Sequence, residues 1–263
     1  MSGLIDIGLN LTHDSFAHDL EGVLNRAAAA GVERMLLTGS DVPHSQAALQ
    51  LARTYPRQLR STAGIHPHHA KDFTPEHMAD LKALLADRQV LAVGECGLDY
   101  FRNFSTHEEQ ESVFRMQLEF AASIGKPVFL HERDAHDIFV SILNEYLPRL
   151  PGGVTHCFTG TAAQARLYVE MGLYVGITGW ICDERRGESL RAAVREIPLD
   201  RLLIETDAPY LIPRDLKPRP KSHRNEPMYL PAVLRRLAEC RNEDMGMLAA
   251  ATAANALRLF GWD

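Results

Sequence analysis

The sequence predicts a single TIM-type (β/α)8 barrel, and three observations predict it. Eight short apolar segments recur along the chain, each bounded by turn residues. Stretches with helical periodicity lie between them, giving an order of strand then helix. The length of 263 residues suits one such barrel, since about 250 is routine for this architecture. Hydrophobic residues make up 46% and charged residues 24%, enough apolar side chain for one large core and too much for a disordered chain. One domain over residues 1–263 is expected.

The strand segments are Leu4 to Asn10, Arg34 to Gly39, Arg60 to Ile65, Val90 to Glu95, Pro127 to His131, Gly153 to Cys157, Leu173 to Ile177 and Arg201 to Glu205. Most are near-continuous apolar runs, as parallel strands buried on both faces require. The helices are read as follows. Phe16 to Ala30 is alanine-rich. Thr74-Pro75-Glu76 reads as an N-cap with proline at the first helical position. Thr106 and Glu109 form a capping box ahead of an amphipathic run to Ile124. Further helices are expected at Ala135 to Leu147, Ala162 to Met171, Gly187 to Arg195 and Met228 to Ala238, with Glu243 to Phe260 closing the ring. A doubly wound open sheet is the competing fold, but no GxGxxG follows the first strand.

A net charge of -6 argues against a chain coated in positive charge, such as a packaging protein or a polybasic membrane binder. Cys96, Cys157, Cys182 and Cys240 are far apart and form no CxxC pair, which suits reduced thiols rather than a disulfide framework. Met1 to Asn10 lacks a basic segment ahead of an apolar one, so no signal peptide is expected. No apolar run approaches the ~20 residues of a membrane span. The expectation is a soluble cytoplasmic protein with no membrane partner.

Active sites of (β/α)8 barrels are built from the C-terminal ends of the strands. Glu95, His131, His156 and Asp207 each end, or nearly end, a different apolar strand. Two imidazoles with two carboxylates make a mixed nitrogen and oxygen set that suits Zn, Mn, Fe or Mg. Any one of the four, taken alone, is explained as a satisfied polar group at a strand end. The same placement on four strands points to a metal site. His66 directly follows the third strand and is expected to face that site, whereas His68 and His69 read as loop residues.

After the eighth strand, Arg214, Lys217, Arg219, Lys221 and Arg224 stand against Asp215 and Glu226, a local balance of +3 in a negative chain. Arg185 and Arg186 follow the seventh strand. Cations in these loops suit phosphate oxygens, although a solvated loop explains each one individually. Tyr100, Phe101, Phe104, Trp180 and Tyr210 also follow strands. Aromatic rings there can stack on bases, but most loop aromatics simply pack under their loop.

These motifs resemble the TatD family of metal-dependent deoxyribonucleases, within the amidohydrolase-like barrels. The segments that carry the resemblance are GIHPHHA (Gly64 to Ala70), GECGLDY (Gly94 to Tyr100), PVFLHERDA (Pro127 to Ala135), THCFTG (Thr155 to Gly160), LLIETDAPYL (Leu202 to Leu211) and RNEP (Arg224 to Pro227). They cover nearly the whole chain in family order. DIGLNLT (Asp6 to Thr12), RNFSTHEEQ (Arg102 to Gln110) and GITGWICDERRG (Gly176 to Gly187) are similar to bacterial members.

The resemblance implies metal ligation by Glu95, His131, His156 and Asp207. It further implies 3'-to-5' exonuclease cleavage of single-stranded DNA, with RNA as a further substrate and a link to repair of oxidative damage. The sequence departs from the family at one point. Many members carry H-x-H at the end of the first strand to hold a second metal, and here those positions are Gly8 and Asn10. One firm ion on Glu95, His131 and His156 is therefore expected, with a second weak or arriving with substrate.

In the mechanism this suggests, Asp207 ligates the ion or takes a proton from the attacking water. His66 binds a phosphate oxygen or protonates the leaving 3'-oxygen. Asn10, Arg133, Arg185 and Arg224 contact substrate, and Glu205 supports a ligand from behind. Ligand type favours Zn or Mn, the resemblance favours Mg, and Mg is the expectation. A monomer is expected. The alternative is a metal-dependent amide hydrolase, disfavoured because no lysine lies near Glu95 to bridge two metals. A non-catalytic nucleic-acid binder is the third reading, and the intact ligand set speaks against it.

Overall fold

A computed structural model describes residues 3–262; Met1, Ser2 and Asp263, which the expected domain includes, lie outside the described residues. Eight strands are found among the described residues: β1 Leu4–Leu9, β2 Val32–Leu37, β3 Leu59–Ala63, β4 Val90–Asp99, β5 Val128–Arg133, β6 Gly153–Thr155, β7 Tyr174–Ile177 and β8 Leu202–Ile204. The helices are α1 Leu20–Ala29, α2 Val42–Thr54, α3 Pro75–Leu85, α4 His107–Ile124, α5 His136–Tyr146, α6 Ala162–Glu170, α7 Glu188–Ala193, α8 Leu230–Arg241 and α9 Met245–Phe260. The strands form one sheet in the order β1 to β8. This is the topology of a (β/α)8 barrel.

The chain divides into two compact units. The first comprises the chain up to Leu37, Cys157–Glu170 and Tyr174 onward. Here β1 runs parallel to β2, with Leu4 beside Val32 and Leu9 beside Leu37. β7 runs parallel to β8, with Ile177 beside Ile204. The segment after β8 returns to β1: the Asp207 N–H donates to Gly8 O at 2.8 Å and the Asn10 N–H to Ala208 O at 2.7 Å. Ile7, Leu9, Val175, Ile177, Leu203 and Ile204 are fully buried, as apolar runs covered on both faces must be.

The second unit is Thr38–His156 with Met171–Leu173. It carries β3 to β6 as parallel neighbours: Ala63 lies beside Val93, Asp99 beside Arg133, and Leu130 beside Thr155. Helix α4 begins as its sequence requires, with Thr106 Oγ1 accepting from the Glu109 N–H and Glu109 Oε2 accepting from the Thr106 N–H.

Two departures from the sequence reading are instructive. Helix α2 is not among the helices expected from the sequence. It starts at Asp41, whose carboxylate accepts from the His44 N–H, with Pro43 in the first turn. That cap and proline are the start signal. In addition, β4 continues to Asp99 instead of ending at Glu95. The glycines there read as a turn, but their role is close approach. A Cβ on Gly97, whose φ is +149°, would collide with the carbonyl of His131. Only glycine lets β4 pair so closely with β5 at that point.

Candidate active site

Four of the expected site residues meet in the second unit. His66 follows β3, Glu95 lies in β4, His131 in β5, and His156 follows β6. Their positions are fixed from behind. The Glu95 N–H donates to Gly39 O at 2.7 Å, and the His156 N–H to Leu130 O at 2.9 Å. The His66 N–H donates to Ser40 O at 2.7 Å. Two buried glutamines on one face of α4 hold the adjoining backbone. Gln117 bonds the N–H and C=O of Ile65 at 2.8 and 2.9 Å. Gln110 does the same for Asp99, at 2.8 and 3.1 Å. A Cβ on Gly64 would lie 2.6 Å from the Gly94 backbone, so the pair of glycines brings the ends of β3 and β4 together.

One carboxylate oxygen is the focus. His156 Nε2 lies 2.7 Å, His131 Nδ1 2.9 Å and His66 Nε2 3.3 Å from Glu95 Oε1. Hydrogen bonds alone account poorly for three donors at one atom, because a carboxylate oxygen offers about two lone-pair directions. Metal ligands account for it better. With bonds of about 2.0–2.1 Å, neighbouring donors in a tetrahedral or octahedral shell sit about 2.8–3.4 Å apart. His66, Glu95 and His131 offer ligand atoms all within 4.8 Å of one another. The donor set is chemically fit for a divalent ion.

The imidazoles are not equivalent. His66 Nδ1 accepts from the His68 N–H at 3.1 Å, so a neutral His66 carries its proton on Nε2. Burial pushes the His66 pKa down to about 4 despite the neighbouring Glu95 charge, which keeps the ring neutral near pH 7. In the metal-free protein its Nε2 therefore carries the N–H. His131 behaves oppositely. Burial alone would lower its pKa, but the Asp99 and Glu95 carboxylates outweigh that and raise it. Burial likewise disfavours a charged Glu95, yet the surrounding histidines hold its carboxyl well below the ordinary range.

Asp99 and His68 are the partners that sequence reasoning missed. Asp99 Oδ2 accepts from His68 Nε2 at 2.7 Å and lies 3.6 Å from His131 Nε2. Asp99 is 1% exposed. A carboxylate behind a metal-ligating imidazole fixes its orientation and raises its basicity. Asp99 lies an even number of residues beyond Glu95, which was the available signal. His68, read as a loop residue, is instead packed against His66 and Phe104 at centroid distances of 4.2 and 4.7 Å. Arg133 ends β5 with its guanidinium 3.9 Å from the centre of the Phe101 ring.

The remaining expected residues lie in the first unit. Asp207 follows β8 in a left-handed backbone conformation, φ 55°. Such a conformation in a non-glycine residue persists only where surroundings enforce it. Asp6 supplies that constraint: its carboxylate takes the Thr206 N–H at 2.9 Å and meets Thr206 Oγ1 at 2.6 Å. Asn225 Nδ2 donates to Thr206 O at 2.9 Å and to Tyr210 O at 2.6 Å. Glu205 is fully buried and accepts from the Cys157 N–H. Asn10 follows β1, with its C=O accepting from the His13 N–H at 3.1 Å. Arg185 is largely exposed beside Asp183, at 3.9 Å.

Arg224, expected to contact substrate, is engaged by groups of its own unit. Its guanidinium bonds Asp19 at 2.8 Å through both Nη atoms, Glu226 at 2.6 Å, and the Ser15 carbonyl. Four of its five N–H donors are thereby occupied, and it clamps the chain after β8 onto the segment before α1.

The TatD related DNase family model matches residues 5–261. The "3'-5' ssDNA/RNA exonuclease TatD" of Cronobacter sakazakii is 55% identical over 257 residues, covering 98% of this chain and 97% of that protein. The protein of the same description from Salmonella typhimurium is 54% identical over 257 residues, covering 98% of each. Among solved structures, the TatD homologue YJJV of Escherichia coli is 32% identical with a TM-score of 0.89, over 98% of both chains. A TatD family hydrolase from Entamoeba histolytica reaches a TM-score of 0.90 at 25% identity, over 99% of both. With a family model spanning almost its entire length and relatives above half identity, this chain belongs to the TatD related DNase family.

Proposed function

We propose that this chain is a metal-dependent 3'-to-5' exonuclease acting on single-stranded DNA and RNA, with Mg as its working ion. The observation that carries this reading is the convergence of three imidazole nitrogens on Glu95 Oε1. The names of relatives above half identity, 3'-5' ssDNA/RNA exonucleases, support the substrate class. The reading further takes the chain as a single-domain, monomeric, cytoplasmic enzyme, linked to repair of oxidative DNA damage. None of the helices among the described residues is long and apolar enough to cross a membrane.

Glu95, His131 and His156 would hold the ion. When bound, a divalent ion supplies Lewis-acid stabilisation to a phosphoryl oxygen and lowers the pKa of its water. The remaining work falls to side chains. Asp207 completes the ligand set or accepts a proton from the attacking water, and its enforced backbone conformation suits a positioned carboxylate. His66, neutral with its proton on Nε2, donates to a phosphate oxygen or protonates the leaving 3'-oxygen. Asp99, 3.6 Å from His131 Nε2, would favour that orientation of the ring electrostatically. Asn10, Arg133 and Arg185 position the nucleic-acid backbone.

The test uses metal-stripped protein with 5'-labelled single-stranded DNA, RNA and a cyclic amide, adding Mg, Mn or Zn in turn. Shortening of the labelled strands from the 3' end with Mg is expected. Turnover of the amide alone, or inert nucleic acid with every ion, would overturn the reading.

A further inference from the structure

The loop after β4 exposes two large aromatic rings. Phe101 is 53% and Phe104 55% exposed. A floppy loop would tuck such rings beneath it, because exposed apolar area costs about 25 cal/mol per Å2. This loop is not free to do so. Asp99 Oδ1 accepts from the N–H groups of Phe101 and Arg102 at 3.0 and 2.8 Å. The Tyr100 N–H donates to Arg133 O at 2.9 Å. The Tyr100 hydroxyl donates to Glu111 at 2.8 Å, and its ring stacks on His107 at 3.5 Å and 6°. Asn103 Nδ2 donates to Tyr100 O at 2.7 Å, and its Oδ1 lies 2.8 Å from His107 Nε2. The loop is built stiff and holds both phenyl rings in water.

What the rings touch indicates what they present. The Arg133 guanidinium lies 3.9 Å from the centre of the Phe101 ring, and Arg102 lies 5.7 Å from it. Phe104 packs edge-on against His68. His68 bonds Asp99, and Asp99 lies beside His131. Apolar faces flanked by cations, one side chain removed from the cluster around Glu95, suit a planar base whose phosphate is anionic. We propose that Phe101 and Phe104 form a base-stacking platform for an unpaired nucleobase, with Arg133 and Arg102 steering the adjoining phosphates. A stack of this kind needs an exposed base face. It gives the site a physical reason to choose single strands over duplex, and it tolerates any base.

The inference rests on the nuclease reading for the identity of its ligand, and binding measurements separate the two. The full-length metal-free protein is titrated with two fluorescent ten-residue DNA strands, oligo-dT and an abasic strand of equal charge. Stacking on protein aromatics strengthens binding severalfold to over a hundredfold per base, so wild type should bind oligo-dT at least about fivefold more tightly. Phe101→Ala with Phe104→Ala should erase that difference, and Phe101→Trp with Phe104→Trp should restore it. Equal binding of the two strands by wild type would overturn the platform and leave the nuclease reading standing. Undiminished discrimination in the alanine variant would also overturn it. Failure to bind either strand would refute both.

Discussion

Replacing Asp99 by asparagine should weaken the site without unfolding it. The substitution keeps the shape of the side chain. The Asn Oδ1 can still accept from the Phe101 and Arg102 N–H groups, so the loop after β4 stays capped. What disappears is a negative charge 2.7 Å from His68 Nε2 and 3.6 Å from His131 Nε2. At 3.6 Å and an effective dielectric of about 20, the Coulomb attraction to a charge on His131 has a ceiling of about 4–5 kcal/mol. Part of that is already offset by the desolvation of a carboxylate that is 1% exposed. Outer partners of metal-bound histidines typically contribute about 10–100-fold in metal affinity or activity, about 1.4–2.8 kcal/mol. Asp99→Asn should therefore bind Mn about 10–100-fold more weakly by titration calorimetry and lose nuclease rate to a similar degree. Its Tm should fall by only a few degrees. Wild-type affinity and wild-type rate in a folded variant would refute the orienting role of Asp99.

Three further outcomes are expected. Burial raises the pKa of Asp6 to about 7 from an ordinary 3.8, so the folded state holds a proton that the unfolded state has released, and stability falls as pH rises across that interval. Asp6→Asn, which mimics the protonated side chain against Thr206, should flatten this dependence in denaturation series from pH 4 to 8; an unchanged slope would count against it. Arg224→Ala removes its charged hydrogen bonds to Asp19 and Glu226, both of which keep Arg26 as a partner, and should cost about 1–3 kcal/mol in urea denaturation; a change below a few tenths would show that the clamp is idle. The raised pKa of His131 in the metal-free protein gives stability that is full below its ordinary 6.5 and is lost as pH rises through the raised value. Metal must displace that proton, so the Tm gain from added Mn should shrink as pH is lowered, and a pH-independent gain would contradict proton competition.

Much of this was legible in the sequence, for identifiable reasons. Strands such as Tyr174–Ile177 and Leu202–Ile204 announce themselves because strands buried on both faces must be almost wholly apolar. A polar residue ending such a run stands out, which is why Glu95, His131 and His156 could be named beforehand. Residues whose role depends on a partner distant in sequence could not. Nothing in the stretch around Arg224 reveals that Asp19, 205 positions away, will occupy its guanidinium. Nor does the spacing of His66 and His68 reveal which imidazole nitrogen will accept a backbone N–H. Glycines mislead in the same way. Gly94 and Gly97 look like a turn, whereas the need for close backbone approach keeps β4 extended through them. The aromatic loop was ambiguous because residue type does not say whether a ring is tucked or displayed. The hydrogen bonds of Tyr100, Asn103 and Asp99 decide that.

The most direct test is diffraction from Mn-soaked crystals, recorded at the Mn absorption edge. One anomalous peak within bonding distance of Glu95 Oε1 and of nitrogens from both His131 and His156 is expected, and it should vanish in Glu95→Gln. A peak elsewhere, or none at saturating Mn, would contradict the assignment of these three side chains as the metal holders.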